Sequence, residues 1–473
     1  MPSREGEPAR ASIDLVDGVR VVVPDTVRLI TPYVLREQQD WFEDEIRFLR
    51  RLLQPGEKVI DIGANFGVYA LSMARAVGPA GHVWAFEPAS GTARFLAESI
   101  ALNGFAQVSL ERSALSSAVG TARLALNDNP ELNALVHGPE SAGACETVPL
   151  ATLDASLERH GWRDIAFLKI DAEGEEANIL KGGERFFAEL SPLVQFEIRA
   201  GADWHLELVR EFAARGYASY RLVPGLDVLV AFDAGSPPDG YLLNLLCCKQ
   251  DRAERLAARG FLVDAAASRG EALPQGAGRG GAYDWRNTVA RLPYGARLAA
   301  VWEKTVSAGG SAEVEEALSL HAFSRDAARS ASERFGALER SFGILRALCE
   351  GRPSHLRLAS LARVARDYGA RAVAVNALQR LGDALLRHRQ VDVREPFLAP
   401  GERFDAVPPG EAIPNWVLAA VLEEWERLGS FSSFYTGASA RPRLEAIRAL
   451  GFGSAEMERR RQLLQERFGH AAA

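Results

Sequence analysis

The amino-acid sequence predicts an α/β protein in which a mostly parallel sheet is covered by helices on both faces and is followed by a mainly α-helical half. Two patterns indicate this. In the first half, short apolar strands alternate with helical stretches, which is typical of parallel sheets. Beyond residue 250 the strand pattern ends and helical periodicity takes over. At 473 residues, the chain is long enough for two or three domains.

The predicted organisation has a lead-in over residues 1–40, a sheet domain over 41–250, a flexible linker over 251–285 and a helical domain over 286–473. Residues 264–283 are rich in Ala, Gly and Arg, which indicates a linker. Within the helical domain, Arg357–Leu386 resembles one helix-turn-helix unit of a tetratricopeptide-type array. An array needs several copies to bury its faces, and three convincing ones are not found, so we expect a helical bundle.

The elements of the sheet domain follow from local patterns. A hairpin within Asp14–Val23 and a helix over Trp41–Leu53 come first. The predicted strands are Lys58–Ile62, His82–Phe86, Gln107–Glu111, Ile165–Ile170 and Leu193–Ile198. The predicted helices are Val68–Val77, Ser90–Leu102, Leu153–His160, Glu175–Lys181 and Trp204–Arg215.

Two further strand pairs depart from this alternation. Thr121–Leu126 and Thr147–Leu150 indicate an inserted hairpin around a polar loop. Asp227–Phe232 and Tyr241–Lys249 are joined by a turn-rich link that contains no helix. Because parallel strands need a long crossover, we expect these last two strands to form an antiparallel pair.

Composition excludes several classes of protein. A net charge of -7 favours no nucleic-acid partner, and no apolar run is long enough to span a membrane. The first residues contain no secretory signal, and the four cysteines show no metal-binding spacing, so we expect a reduced cytoplasmic protein. The eight histidines show no paired ligand spacing either, and we expect no metal.

The stretch VIDIGANFGVYA, Val59–Ala70, predicts a strand that turns sharply into a helix. It lacks the Gly-Lys-Ser/Thr ending of a phosphate-binding P-loop. A dinucleotide fingerprint starting at Gly63 would need glycine at positions 65 and 68, where the chain has Asn65 and Val68. The remaining pattern, with Asp61 and Gly67, suits S-adenosylmethionine: the helix start attracts its carboxylate and the aspartate its ammonium. The alternative is an ordinary tight turn.

Glu87 favours the cofactor interpretation. It follows the second strand in FEPAS, at the point of the sheet edge where a carboxylate can accept both ribose hydroxyls of a nucleoside. Ser113 and Ala114, just past the third strand, are then expected near the adenine. In isolation, Glu87 would be interpreted as a cap or a solvated loop acid.

Three acids are predicted at the reacting end of the site. Asp171 and Glu173 lie in LKIDAEGEE after the fourth strand, and Glu197 ends the fifth strand. A carboxylate there can accept the proton of a hydroxyl nucleophile or orient the hydroxyl. The alternative roles are helix N-capping for Asp171 and Glu173, and a polar strand end for Glu197.

These motifs, together with SALSS, ANILKGG and a DWFEDE lead-in, resemble the FkbM-type S-adenosylmethionine-dependent methyltransferases over about Asp40–Lys249. The resemblance implies a class I methyltransferase fold, a Rossmann-like, seven-stranded, mostly parallel sheet with an antiparallel last strand. It implies that cofactor is bound by Gly63, Asn65, Gly67 and Glu87, and that Asp171 and Glu173 lie at the reacting end. The family usually has Val where Ala172 stands.

The resemblance implies an enzyme that methylates a hydroxyl of a sugar, glycan or related metabolite. The alternative is an inert methyltransferase-like scaffold whose helical half recruits partners. A nicotinamide oxidoreductase conflicts with Asn65 and Val68. The C-terminal sequence SSFYTGASARPRLEAIRALGFGSAEMERRR looks like an extension of bacterial surface-polysaccharide enzymes. We expect it to pack, or to bind a second copy or a protein partner, and the alternative is that it binds substrate directly.

Overall fold

The computed structural model describes residues 9–137, 143–200, 203–263, 281–310, 312–351, 354–388 and 390–469. The chain divides into two compact units. One comprises Met1–Arg221, Ala231–Pro237 and Leu242–Leu256, and the other comprises Leu222–Val230, Pro238–Tyr241 and Ala257–Ala473. The domain boundaries predicted from the sequence stay predictions, since short segments between residues 222 and 241 group with the helical unit.

The described strands share short lengths of two to seven residues. In chain order they are β1 (Arg10–Asp14), β2 (Arg20–Pro24), β3 (Lys58–Ile62), β4 (His82–Phe86), β5 (Val108–Glu111), β6 (Ala114–Leu115), β7 (Gly120–Ala125), β8 (Ala134–Leu135), β9 (Cys145–Ala151), β10 (Phe167–Ile170), β11 (Leu193–Glu197), β12 (Arg199–Ala200), β13 (Asp203–Trp204), β14 (Ala218–Val223), β15 (Val228–Ala231) and β16 (Asn244–Cys248).

Helices alternate with these strands in the first part of the chain, and helices joined by loops follow after residue 281. In the first part they are α1 (Ile30–Gln38), α2 (Asp44–Leu52), α3 (Val68–Val77), α4 (Ser90–Asn103), α5 (Leu153–His160), α6 (Glu176–Lys181), α7 (Glu184–Glu189), α8 (Glu207–Ala214) and α9 (Gln250–Ala258). The remainder are α10 (Pro293–Ser307), α11 (Ala312–Ser324), α12 (Ala331–Gly351), α13 (His355–Tyr368), α14 (Arg371–His388), α15 (Ile413–Leu428), α16 (Ser433–Thr436), α17 (Arg441–Leu450) and α18 (Ala455–Phe468).

The central sheet has eight strands in the order β15-β14-β16-β11-β10-β3-β4-β5. The five strands from β11 to β5 are parallel, and β16 runs antiparallel to both β11 and β14. This arrangement confirms the predicted class I methyltransferase fold, with β15 as one additional edge strand. The middle strands are buried because their apolar side chains face helices on both sides of the sheet.

The prediction for the last two strands was wrong in its pairing. β16 does not pair with β15: β14, which the sequence analysis did not identify, lies between them. The short link excluded a parallel crossover, but it did not determine which strands become neighbours. Strand β16 inserts between β14 and β11, where all five of its residues are buried.

The predicted inserted hairpin is confirmed. Strands β7 and β9 pair antiparallel, from Gly120 opposite Leu150 to Ala125 opposite Cys145. Together with β6 and β8 they form a separate four-stranded sheet. Residues 138–142 of the predicted polar loop lie outside the described residues.

The lead-in contains the predicted hairpin, β1 and β2, and a helix, α1, that the sequence analysis missed. The side chain of the residue before α1, Leu29, forms no capping hydrogen bond. Instead, the amide of Ile30 donates to Asn129 Oδ1 at 3.2 Å, and the amide of Thr31 donates to Glu131 Oε1 at 2.9 Å. The helix is therefore capped by residues about one hundred positions away.

The start of the predicted linker is helical rather than flexible. Helix α9 buries Ala253 and Leu256 on one face. Arg252 donates to the backbone oxygens of Ser191 at 2.8 Å and Ile165 at 3.1 Å, and all three residues belong to the first unit. Residues 264–280 of the predicted linker lie outside the described residues.

The second unit is mainly helical, as predicted. The helix-turn-helix predicted over Arg357–Leu386 corresponds to α13 and α14, which are separated at Gly369. The core of the unit includes the fully buried indoles of Trp285, Trp302 and Trp416. No helix in the described ranges is long and apolar enough to cross a lipid bilayer.

Gly182, between α6 and α7, packs closely against the segment that follows β6. A Cβ atom at Gly182 would lie 2.2 Å from the carbonyl oxygen of Ser116. We therefore expect Gly182→Ala to lower the free energy of unfolding by about 1–3 kcal/mol, measured by urea denaturation. The matched control is Gly91→Ala in α4, where nothing lies within 4 Å, and this change should be neutral or stabilising by up to about 1 kcal/mol. Equal stabilities of the two variants would contradict the packing argument.

Candidate active site

The predicted site residues follow neighbouring strands of the central sheet. Ile62, at the end of β3, is in register with Phe86 of β4 and with Ile170 of β10, and Ile170 with Phe196 of β11. The chain segments that begin at Gly63, Glu87, Asp171 and Glu197 therefore emerge together at one edge of the sheet. The parallel topology brings these predicted residues to one place.

The turn after β3 has the backbone that its glycines require. Gly63 has φ of 78° and Gly67 has φ of 89°, both in the left-handed region. A Cβ atom at Gly63 would lie 1.7 Å from the carbonyl oxygen of Asp171, and one at Gly67 would lie 2.2 Å from Leu96 Cδ1. Asn65 also has a left-handed φ of 50°, which asparagine tolerates better than most residues.

Several amides of this turn already donate to the end of β4 and the residue that follows it. Those of Gly63 and Ala64 donate to the Phe86 carbonyl at 3.0 and 2.9 Å. The amide of Asn65 donates to Glu87 Oε2 at 2.8 Å. The prediction that free amides at the helix start attract an anion therefore concerns the first turn of α3, beginning at Val68, rather than the turn itself.

Glu87 is a buried carboxylate with one amide on each oxygen. Oε2 accepts from Asn65, and Oε1 accepts from the amide of Ala89 at 2.8 Å. Burial raises the pKa of Glu87 to about 7, against the lowering effect of these two amides. Each oxygen keeps a lone pair that can accept a hydroxyl.

Asp61 is fully buried, and neither of its carboxylate oxygens has a hydrogen-bond partner among the described residues. Burial raises the pKa of Asp61 to about 6, while the charge of Lys169 lowers it and that of Asp171 raises it. The Ala70 amide also lowers this pKa, although it lies outside hydrogen-bond geometry. A buried carboxylate without donors is costly, and such groups concentrate at functional sites.

Ser113 and Ala114 follow β5, beside the edge where Glu87 lies. Both are buried, and Ser113 Oγ has no partner among the described residues. Ala114 begins β6 and pairs with Leu150 of the inserted sheet. The two residues thus line the junction between the two sheets.

The three predicted reacting-end acids form one cluster. One carboxylate oxygen from each of Asp171, Glu173 and Glu197 lies within 4.8 Å of the others. A metal ion could fit this spacing, but nothing else points to an ion there, and the predicted absence of a metal stays a prediction.

Two members of the cluster have pKa values above the ordinary value of a carboxyl group. Burial, followed by the charge of Asp171, raises the pKa of Glu173 to about 7. Burial and the charges of Asp171 and Glu173 raise the pKa of Glu197 to about 9. At neutral pH the cluster therefore combines hydrogen-bond donors and acceptors.

A different acid stabilises the turn that precedes α6. Glu176 Oε1 accepts from the amides of Ala172 at 3.1 Å and Gly174 at 3.4 Å, and so closes the turn after β10. Among the described contacts, neither Asp171 nor Glu173 caps α6. The side chains of Asp171 and Glu173 are left at the rim of the site.

Sequence reasoning missed a buried group beneath this rim. Lys169 Nζ lies 2.5 Å from Asp171 Oδ2 and 4.8 Å from the centre of the Tyr69 ring. The Tyr69 hydroxyl donates to Glu43 Oε2 at 2.5 Å, and Asn244 Nδ2 donates to the same oxygen at 3.1 Å. The only sequence signal was that Lys169 interrupts an otherwise apolar strand.

The inserted loop also approaches the acids. The charge of Glu131, the residue that caps α1, is among the causes that raise the pKa of Glu173, after burial and nearer carboxylates. Farther along, His137 Nε2 contacts Glu175 Oε1, and Ser116 Oγ donates to Glu175 Oε2 at 2.8 Å. Glu175 therefore holds the loop to the turn after β10.

These residues fit S-adenosylmethionine. Asp61 and Ser113 present buried oxygens without partners, and Glu87 keeps spare acceptor capacity between them along the sheet edge. A cofactor that carries an ammonium and a diol supplies the donors that these oxygens lack.

Comparison with known proteins agrees with this geometry. Residues 61–219 match the family model of the methyltransferase FkbM domain. The match confirms the resemblance seen in the sequence over this part of the chain, and it supports a methyltransferase domain that uses S-adenosylmethionine. No curated protein matches the chain.

Solved structures that resemble the chain include three methyltransferases. A SAM-dependent methyltransferase from Aquifex aeolicus has 14% identity and a TM-score of 0.27 over 46% of this chain and 93% of its own. A precorrin-6y C5,15-methyltransferase from Geobacter metallireducens has 13% identity and a TM-score of 0.27 over 43% and 86%. A SAM-dependent O-methyltransferase from Thermotoga maritima has 13% identity and a TM-score of 0.25 over 49% and 73%.

Because Asp61 is buried, its ionisation is expected to lower the free energy of unfolding. Its pKa is about 6 in the folded chain and about 3.9 when unfolded, so the folded state holds an extra proton between these values. The contribution of Asp61 to the free energy of unfolding therefore falls as the pH rises from about 4 to 6. We expect Asp61→Asn to change stability little at pH 4 and to raise it by about 2–3 kcal/mol at pH 7, measured by urea unfolding without cofactor.

The control for this prediction is the exposed Asp128. Asp128→Asn should change the free energy of unfolding by less than about 0.5 kcal/mol at both pH values. The same effect of Asp61→Asn at pH 4 and pH 7 would show that the charge of Asp61 is not the cause.

Proposed function

We propose that this protein transfers a methyl group from S-adenosylmethionine to a hydroxyl of a sugar, glycan or related metabolite, as in polysaccharide biosynthesis. The observation that carries the proposal is that two acidic sites, one buried and one at the rim, lie near the same edge of the sheet. Asp61 is buried with free oxygens, whereas the cluster that contains Asp171 lies at the rim, and the two interact electrostatically.

The buried group suits the cofactor. Asp61 binds the ammonium of its methionine part, while Glu87 accepts the ribose hydroxyls with the lone pairs left free by Asn65 and Ala89. Gly63 and Gly67 shape the turn between them, and Ser113 and Ala114 border the adenine. When bound, S-adenosylmethionine supplies an electrophilic methyl group.

The rim suits a hydroxyl acceptor. Asp171 accepts the proton that the hydroxyl loses, and its contact with Lys169 at 2.5 Å holds the carboxylate in place. Glu173 and Glu197 orient neighbouring hydroxyls, because acids with pKa values of about 7 and 9 donate as well as accept near neutral pH. A polyhydroxyl acceptor matches this mixture.

Cofactor binding is the first test. We expect the wild type to bind S-adenosylhomocysteine in isothermal titration calorimetry, and Glu87→Ala to weaken binding at least about tenfold, because a charged acceptor of hydroxyls is lost. Glu146→Ala is the matched control, because this acid lies close enough to raise the pKa of Glu87. Among the described contacts Glu146 accepts from the Ser90 amide and not from the turn after β3, so affinity should stay within about twofold. No binding by the wild type would refute the proposed function.

The second test identifies the acceptor and the base. Extracts incubated with enzyme and methyl-deuterated cofactor are searched by mass spectrometry for labelled metabolites, with and without EDTA. With the acceptor in hand, Asp171→Asn should lower the transfer rate about 100-fold or more without loss of S-adenosylhomocysteine binding. Glu197→Gln should cost less at pH 7, since the amide resembles the protonated acid. A protein that binds cofactor but labels nothing would favour the inert scaffold.

A further inference from the structure

Lys169 is a buried cation in the middle of the sheet. Only 4% of the residue is exposed, and it lies on β10 directly opposite Asp61 of β3 and Gln195 of β11. Residues paired in this way present their side chains to the same face of the sheet. An ammonium at such a position is costly unless acids surround it.

Three carboxylates from different parts of the chain surround this ammonium. Asp171 touches it at 2.5 Å, and the charges of Asp171, Asp61 and Glu43 raise the pKa of Lys169 although burial alone would lower it. The centre of the Tyr69 ring lies 4.8 Å from Lys169 Nζ, and the hydroxyl of this tyrosine donates to Glu43.

The segment before α2 is bound to the same group. Glu43 is the residue before α2, and it accepts from Trp41 Nε1 at 3.1 Å as well as from Tyr69 and Asn244. Gln195 Nε2 donates to the Tyr69 hydroxyl at 3.3 Å. The lysine is thus the positive centre of a polar layer that joins the start of α2 to the reacting edge.

We propose that Lys169 is a positioning residue of the cofactor site: its single buried charge keeps Asp61 ionised for the ammonium of the cofactor while its hydrogen bond orients Asp171 toward the acceptor. This inference rests on the proposed function. It assigns to Lys169 no contact with cofactor or acceptor, and its effect is exerted through the two aspartates.

The charges that face Asp61 make this role specific. Lys169 is the cation that lowers the pKa of Asp61, whereas Asp171 raises it. Glu87 feels the charge of Asp61 as well, and Glu43 faces the lysine from the start of α2. Glu173 and Glu197 also feel Lys169, from the turn and from β11. Without the lysine, every other charge in this group is negative, so Asp61 takes up a proton at a higher pH.

The test measures affinity for S-adenosylhomocysteine by calorimetry between pH 5.5 and pH 9. For Lys169→Met, the pH at which half of the affinity is lost should rise by about one unit or more relative to wild type. For a shift of one unit, binding should be about fivefold weaker at pH 6 and about twofold weaker at pH 7, and it should approach the wild-type value at pH 9. Lys169→Arg, which keeps the charge, should restore most of the wild-type profile.

Lys249→Met is the matched control. Lys249 also lies over a tyrosine ring, that of Tyr217 at 5.4 Å, but it donates to backbone carbonyls, including that of Leu190 at 3.2 Å, rather than to these carboxylates. Its loss should lower stability and leave the pH profile of binding in place. An unshifted profile for Lys169→Met, with wild type that binds, would overturn the inference and leave the proposed function standing.

A second variant covers the case in which Lys169→Met does not fold. Adding Asp61→Asn removes one of the carboxylates left without a cation, so the double variant should recover a cooperative urea transition. A double variant that stays unfolded would overturn the inference. Wild type that binds no S-adenosylhomocysteine at any pH would instead refute the proposed function.

Discussion

The site depends on a backbone contact between two turns. The carbonyl oxygen of Asp171 occupies the space that a Cβ atom of residue 63 would need, and glycine with φ of 78° leaves that space open. The turn after β3 carries the groups assigned to the cofactor, and the turn after β10 carries the acids assigned to the acceptor. A larger residue at position 63 would push the two turns apart, and donor and acceptor would no longer meet.

The elements of the sheet could be predicted where local pattern determines them. Lys58–Ile62, His82–Phe86 and Val68–Val77 were predicted with their observed bounds, because apolar runs are closed by turn residues there. The neighbours of β16 could not be predicted, since strand order in a sheet is set by packing between distant segments. Helix α1 was missed for a related reason: the side chains that cap it come from a distant loop.

For the candidate site, the sequence predicted the acids but not the buried lysine that contacts Asp171. Asp171, Glu173 and Glu197 follow strand ends, and the topology brings strand ends together. Lys169 was overlooked because its importance comes from the register between β10 and β3, which places it opposite Asp61. Glu175 and Glu176 are close to Glu173 in the chain, yet their side chains accept hydrogen bonds that hold the surrounding segments in place. The sequence alone does not distinguish these structural acids from the acids of the cluster.

The remote capping of α1 has a consequence for synthesis of the chain. The two capping bonds join residues 99 and 100 positions apart. At about 5–20 residues per second, the ribosome makes the capping loop roughly 5–20 s after the helix. Until then the first amides of α1 lack these two acceptors and bond water instead. This helix therefore gains its full stability only after the parallel strands β3, β4 and β5 have been translated. Helix α1 is thus translated well before the loop that secures its first turn.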